Sequence, residues 1–266
     1  MTIIAQVSDI HVRPRGMLYQ NLVDSNAMFT RAVETLNRLD PKPHLVLITG
    51  DLTDEGSPEE YEMLRELLAP LTHPYAVMPG NHDDRVRLCE AFGDQPWLPL
   101  EGELNFGIDV GPVRVLALDT TVPGLHHGEL SPTTLSWLER ELIANARRRV
   151  VIAMHHPPFS SGIPYLDLYG LREIGPFSDL LSRYSNIDRI IAGHVHRSMQ
   201  TRLGAVPVLT CPSTTTQIAL RLKPDADAAS YLEPPAFMLH RWENNIGNAV
   251  SHLCYIGQFD GPLPFA

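Results

Sequence analysis

The chain has 266 residues, enough for one full core, and a formal charge of -10, with 31 acidic against 21 basic side chains. That balance excludes a partner held by its phosphate backbone, which calls for a basic surface, so no nucleic acid polymer is expected. Three widely spaced cysteines (Cys89, Cys211, Cys254) exclude a disulfide framework and a thiolate metal site, and no apolar run reaches the roughly 18 residues of a membrane span.

The first element, "TIIAQVS", is a strand that begins without a basic and apolar leader, so a cytoplasmic protein is expected. A helix-like stretch follows from Asp24 to Leu39. Next come the strand "HLVLIT", a helix from Pro58 to Leu68, the strand "YAVM" and a further helical stretch from about Asp83. Ser57-Pro58-Glu59-Glu60 and Ser131-Pro132 mark helix starts, each a Ser cap with Pro at the first helical position, the first with a capping-box Glu. "LNFGIDV" and "VRVLALDT", split by Gly111-Pro112, read as a hairpin. "RRVVIAMHH" and "DRIIAGHVH" are strands again, with a weak helix around Phe177 to Tyr184 between them. Short strands follow Gln200, and a Pro- and Ala-rich stretch from Lys223 to Ala236 is expected to be a loop or flap. The rhythm is α/β, with helices outside a strand-rich centre.

Five of these strands end in chemically similar residues: Asp9 and His11; Asp51 and Asp54; Asn81 and His82; His155 and His156; His194 and His196. Ligands of α/β folds bind beyond the carboxyl ends of strands, so the clusters are expected to converge on one edge of the sheet. A lone Asp-x-His or a strand-ending Gly-Asp is commonplace; an ordered set of five is not. Four imidazoles, two carboxylates and an amide oxygen without sulfur suit Zn, Mn, Fe or Co. Seven donors exceed one tetrahedral site and fit two ions sharing a carboxylate.

This order of motifs resembles the calcineurin-like metallophosphoesterase superfamily, and the resemblance runs from Asp9 to about His196. The wording "SDIHVRPRG", "GNHD", "MHHPP" and "GHVH" looks most like its bacterial cyclic-nucleotide and glycerophosphodiester phosphodiesterases. The resemblance implies a four-layer αββα sandwich: a single domain over residues 1–266, with a small cap or oligomerisation excursion near residues 211–240. It implies a homo-oligomer, and two divalent ions per chain (Mn, Fe, Zn or Co). Asp9, His11 and His196 would hold the first ion; Asn81, His155 and His194 the second; Asp51 would bridge them. Hydroxide on the metals would attack a small phosphodiester bound at Asn81 and His82. His82 would protonate the leaving oxygen or bind the phosphoryl group, oriented by Asp54, with His156 or His127 as substitute acids.

In the phosphoprotein phosphatases of the superfamily the stretch reads G-D-x-x-D-R-G, whereas here it is "GDLTDEG". Glu55 in place of that Arg disfavours a dianionic monoester. Arg13, Arg15, Arg85 and Arg197 lie close enough in sequence to compensate, although a solvated role is expected for each. A broad phosphomonoesterase is the alternative reading. A metal-free scaffold is disfavoured by the complete donor set, and a nuclease by the charge.

The loops Gly124–Leu130 and Ser160–Gly170, rich in His and aromatic residues, are candidates for the pocket rim.

Overall fold

The computed structural model describes residues 1–243, 249–261 and 263–264. Its first half runs β1 (Thr2–Val7), α1 (Ser25–Asn37), β2 (Leu45–Thr49), α2 (Pro58–Leu68), β3 (Tyr75–Met78) and α3 (Arg85–Phe92). A hairpin of β4 (Phe106–Val110) and β5 (Val113–Leu118) leads to α4 (Pro132–Ala144), β6 (Arg149–Met154) and a one-turn α5 (Pro164–Asp167). Then come α6 (Ile174–Leu181), β7 (Ile187–Ala192), β8 (Gln200–Leu203) and β9 (Val206–Thr210). Two short strands, β10 (Gln217–Ile218) and β11 (Ser230–Tyr231), precede β12 (Ala236–Trp242) and β13 (Val250–Tyr255).

The strands form two sheets, ordered β13-β12-β1-β2-β3 and β4-β5-β6-β7-β9-β8, with β10 and β11 paired separately. Side-chain alternation builds the layers. In β5, Val115 and Ala117 join the core that contains β1, β2, β3 and the apolar faces of α1 and α2, whereas Leu116 and Leu118 pack with α4 and α6 on the other side. The same split separates Val151 and Ala153 of β6 from Ile152 and Met154. The layers are therefore helix, sheet, sheet, helix, the αββα arrangement.

Both marked helix starts are capped. Ser57 accepts from the Glu60 amide, and Glu60 Oε2 accepts from the Ser57 amide at 3.0 Å, closing the capping box; Ser131 accepts from Thr134 at 3.0 Å.

Two features differ from the expectation. The excursion ends sooner: Ala236–His240, assigned above to the cap, lie in β12, which pairs antiparallel with β1. The strand clusters also sit on two sheets, not one. Pairings across more than 200 positions leave no local pattern, whereas each strand's own alternation does.

His240 of β12 ties the sheets together. Its Nε2 donates to Gln6 Oε1 (3.1 Å), and Gln6 Nε2 donates to Thr49 Oγ1 and to the carbonyl of Ala192, both at 3.0 Å. Burial, aided by Arg189, pushes the imidazole down to about 3 from its ordinary 6.5. Between those values the unfolded chain takes up a proton that the folded chain refuses, so stability falls as pH falls through the window, by about 1.4 kcal/mol per pH unit from this group. Denaturant titrations at pH 7 and 5 should show a shallower loss in His240→Gln than in wild type; equal losses would refute the assignment.

Candidate metal centre and substrate cavity

Every cluster stands just past the carboxyl end of its strand. Asp9 follows β1, Asp51 follows β2, Asn81 follows β3, His155 follows β6 and His194 follows β7. The first three come from one sheet and the last two from the other, and the pieces interlock: the amides of Ile10 and His11 donate to the Asp51 carbonyl (2.8 and 3.0 Å), and the His194 amide donates to both Asp9 carboxylate oxygens (3.0 and 3.1 Å). The Pro79-Gly80 turn brings Asn81 in beside Asp51. A Cβ at Gly80 would overlap the Asp51 amide nitrogen and Oδ1, so only glycine permits this approach. Five side chains of the cluster sit on left-handed backbone: Asp9 (φ 55°), His11 (50°), Asp51 (48°), His194 (68°) and His196 (48°). Non-glycine residues adopt that region at a cost that marks functional sites.

Asp9, His11, Asp51 and His196, all buried, bring four ligand atoms within 4.8 Å of one another. His11 Nε2 is 3.1 Å from His196 Nε2 and 3.8 Å from Asp51 Oδ2. The other side of Asp51 faces a second group: Oδ1 is 3.3 Å from His155 Nε2, and Asn81 Oδ1 is 3.2 Å from His155 Nε2 and 2.9 Å from His194 Nδ1. Tautomers suit cation binding. His155 Nδ1 and His196 Nδ1 each donate to a backbone carbonyl, of Thr49 and Thr216, both at 2.8 Å, which turns their Nε2 lone pairs inward. Burial would raise the Asp51 carboxyl, yet the imidazoles of His155, His82 and His11 hold it well below the usual range. An inward set of nitrogen and oxygen donors fits two divalent ions of the harder or borderline kind.

His82 lies beside this group. Its amide donates to Asp51 Oδ1 (3.0 Å) and its Nδ1 to the backbone carbonyl of Asp54 (2.7 Å), leaving Nε2 for a substrate. The Asp54 carboxylate is farther, 3.7 Å from His82 Nδ1, and accepts instead from Arg13 Nη1 at 2.9 Å. Orientation of His82 thus comes chiefly from the Asp54 main chain.

Arg13 corrects the solvated role expected of it: it is buried, with Nη1 2.9 Å from Asp54 and Glu55 and 3.0 Å from Glu60 of the capping box. Arg85 meets Asp119 (2.6 Å) and the Thr121 carbonyl (2.7 Å), Arg197 the Ile218 carbonyl (2.6 Å), and Arg15 pairs with Glu66.

A cavity of about 430 Å³ opens over the cluster. Tyr165 and Tyr169 from one rim loop and His126 from the other line it, as do Thr216, Ile218 and Ala228–Ser230 of the excursion. No lysine or arginine does, among the described residues. A larger space of about 1150 Å³ at the amino-terminal ends of β6 and β7 holds none of the candidate ligands.

The substitute acids are excluded by position. His127 is buried against Glu129 (3.1 Å) outside the cavity lining. Both His156 nitrogens are engaged, with Thr120 Oγ1 at 2.8 Å and the His126 carbonyl at 3.0 Å, and burial beside His155 pushes it down to about 3. Of the rim-loop neighbours His126 and His127, it is His126 that lines the cavity, with Nδ1 3.2 Å from Asn81 Nδ2. A second residue not anticipated from sequence is Asp83, which accepts from the amides of Gly80 (2.9 Å), Leu52 (3.0 Å) and Thr53 (3.2 Å) and so locks the Asn81 turn to the Asp51 loop.

Donor sets of this composition suit the metal centres of hydrolases. The Calcineurin-like phosphoesterase family matches residues 2–198, and the chain belongs to that family, for which a dimetal site is typical. A probable glycerophosphodiester phosphodiesterase of Arcobacter nitrofigilis is 38% identical, the match covering 99% of this chain and 96% of the relative. The 3',5'-cyclic adenosine monophosphate phosphodiesterase of Pseudomonas aeruginosa is 32% identical over 82% of this chain and 78% of its own. In fold, the chain is similar to a dimetal phosphatase from Danio rerio, with a TM-score of 0.66 at 14% identity, covering 96% of this chain and 99% of that one.

Proposed function

We propose that this protein is a metal-dependent phosphodiesterase that hydrolyses small phosphodiesters of the glycerophosphodiester or cyclic-nucleotide kind. The observation that carries the preference for diesters is the cavity lining, which has imidazoles and tyrosines but no lysine or arginine among the described residues. A monoester dianion would lack its charge-assisted partner there, since the arginines near the motifs are committed to carboxylates and carbonyls.

Asp9, His11 and His196 would hold one ion, Asn81, His155 and His194 the other, with Asp51 shared. Such ions, when bound, lower the pKa of a water and neutralise phosphoryl charge. The remaining work falls to the chain. With Oδ1 turned to His155 and His194, Asn81 uses Nδ2 as donor to His126 Nδ1, which leaves the His126 proton on Nε2 as a fixed donor. His82, anchored through its Nδ1–H, gives a proton from Nε2 to the departing oxygen in its imidazolium form. Tyr165, Tyr169 and the excursion form part of the cavity wall.

Comparing a nitrophenyl diester with the matching monoester tests the reading. The diester is expected to have the higher kcat/KM by about tenfold or more, because a missing charge-assisted contact is worth roughly 1.5–3 kcal/mol. Preference for the monoester would overturn it. We further read the protein as a homo-oligomer joined through the excursion, where Leu220, Leu222, Tyr231 and Leu232 are exposed. A native mass equal to one chain would refute that.

A further inference from the structure

A second cavity of about 540 Å³ adjoins the metal centre on the far side of Asn81. It lies between α3 and the loops containing Leu100 and Thr121–Gly124, and Val86, Cys89, Leu100, Val122 and Pro123 make it largely apolar. Val86 and Leu100 are 67% and 69% exposed, which is unusual for large apolar side chains facing a common groove. The one cation lining it among the described residues, Arg85, is engaged by Asp119 and the Thr121 carbonyl, while Asp83, Asp84, Glu90 and Glu101 add negative charge. A further phosphate group would find no partner there.

Asn81 lines both this groove and the cavity over the cluster; His82 lines only the latter. A phosphodiester has two ester arms that diverge from phosphorus. The arm that leaves must lie on the side of His82, its proton donor. We infer that the other arm, the one retained on the phosphate, runs past Asn81 into the apolar groove, and that the groove selects diesters whose retained alcohol is uncharged and apolar. This rests on the phosphodiesterase reading for the direction of the leaving arm. In the reaction, water adds to phosphorus, the bond to the leaving oxygen breaks, that oxygen receives the proton, and the product is a monoester still seated by its apolar arm.

Alkyl nitrophenyl phosphates separate the arms, because nitrophenol is the better leaving group and the alkyl chain is the one retained. Lengthening methyl to butyl should raise kcat/KM by at least about tenfold, since a methylene that becomes fully buried is worth about fourfold. In Val86→Asp and Leu100→Asp, both at exposed positions, the butyl-to-methyl ratio should fall towards one. Competitive inhibition by butyl phosphate against methyl phosphate should show the same ratio and the same loss. A flat series in wild type overturns the inference. So does a steep series untouched by the substitutions, which would place the chain against Tyr165 and Tyr169 instead. If no diester is hydrolysed, the phosphodiesterase reading fails, and equal binding of butyl and methyl phosphate would then remove the groove as well.

Discussion

Asp51→Asn should abolish the binding of at least one metal ion and lower activity by several orders of magnitude. The two carboxylate oxygens face different groups, Oδ1 toward His155 at 3.3 Å and Oδ2 toward His11 at 3.8 Å, so an amide nitrogen in either place removes a donor from one ion and the shared negative charge from both. Elemental analysis should find two ions per wild-type chain and one or none in the variant. Asn81→Ala removes a neutral oxygen only, and its loss should be partly recovered by excess metal; the ion on Asn81 is also the one expected to leave first on dilution. Both variants should remain folded, because the core is built from the strands and helices. Equal losses that added metal cannot recover would count against the division of ligands between two ions.

His82→Ala should slow alkyl diesters far more than activated aryl ones. An alkoxide departs poorly without a proton, and general acid help is worth about 10²–10⁴-fold. A nitrophenolate leaves readily without it. The anchoring of His82 Nδ1 on the Asp54 carbonyl at 2.7 Å gives Nε2 a defined direction, so the effect should appear in kcat/KM with metal content unchanged. A similar loss on both substrates would make His82 a phosphate-binding residue and take the acid role away from it.

The strand ends were legible because each apolar run stops abruptly at a polar or turn residue, and chemistry placed at a strand end survives any uncertainty about which sheet the strand joins. The side chains that gather at the cluster were readable for that reason. What sequence left hidden depends on distance along the chain or on the direction of single side chains. Pairing of β1 with β12 joins residues more than 200 positions apart. Of the neighbours His126 and His127, one faces the cavity and the other Glu129, and no periodicity chooses between them in a loop. Arg13 was expected to be solvated like the other arginines near the motifs; three carboxylates from the Asp54 loop and α2 gather around it only after folding. Asp54 was expected to orient His82 through its side chain, whereas the short contact to His82 is made by its main chain.

The left-handed backbone at Asp9, His11, Asp51, His194 and His196 sets a direction for how such a protein would drift. Strained positions of this kind cost about 1–3 kcal/mol each, and the residues that relieve them most readily, Gly and Asn, supply no imidazole. In a lineage released from selection for hydrolysis, replacements there would tend to leave the frame sturdier as they dismantled the reaction. Descendants would then persist as inert frameworks more easily than as weakened enzymes, and erosion of the chemistry would begin at the residues that the backbone holds under most tension.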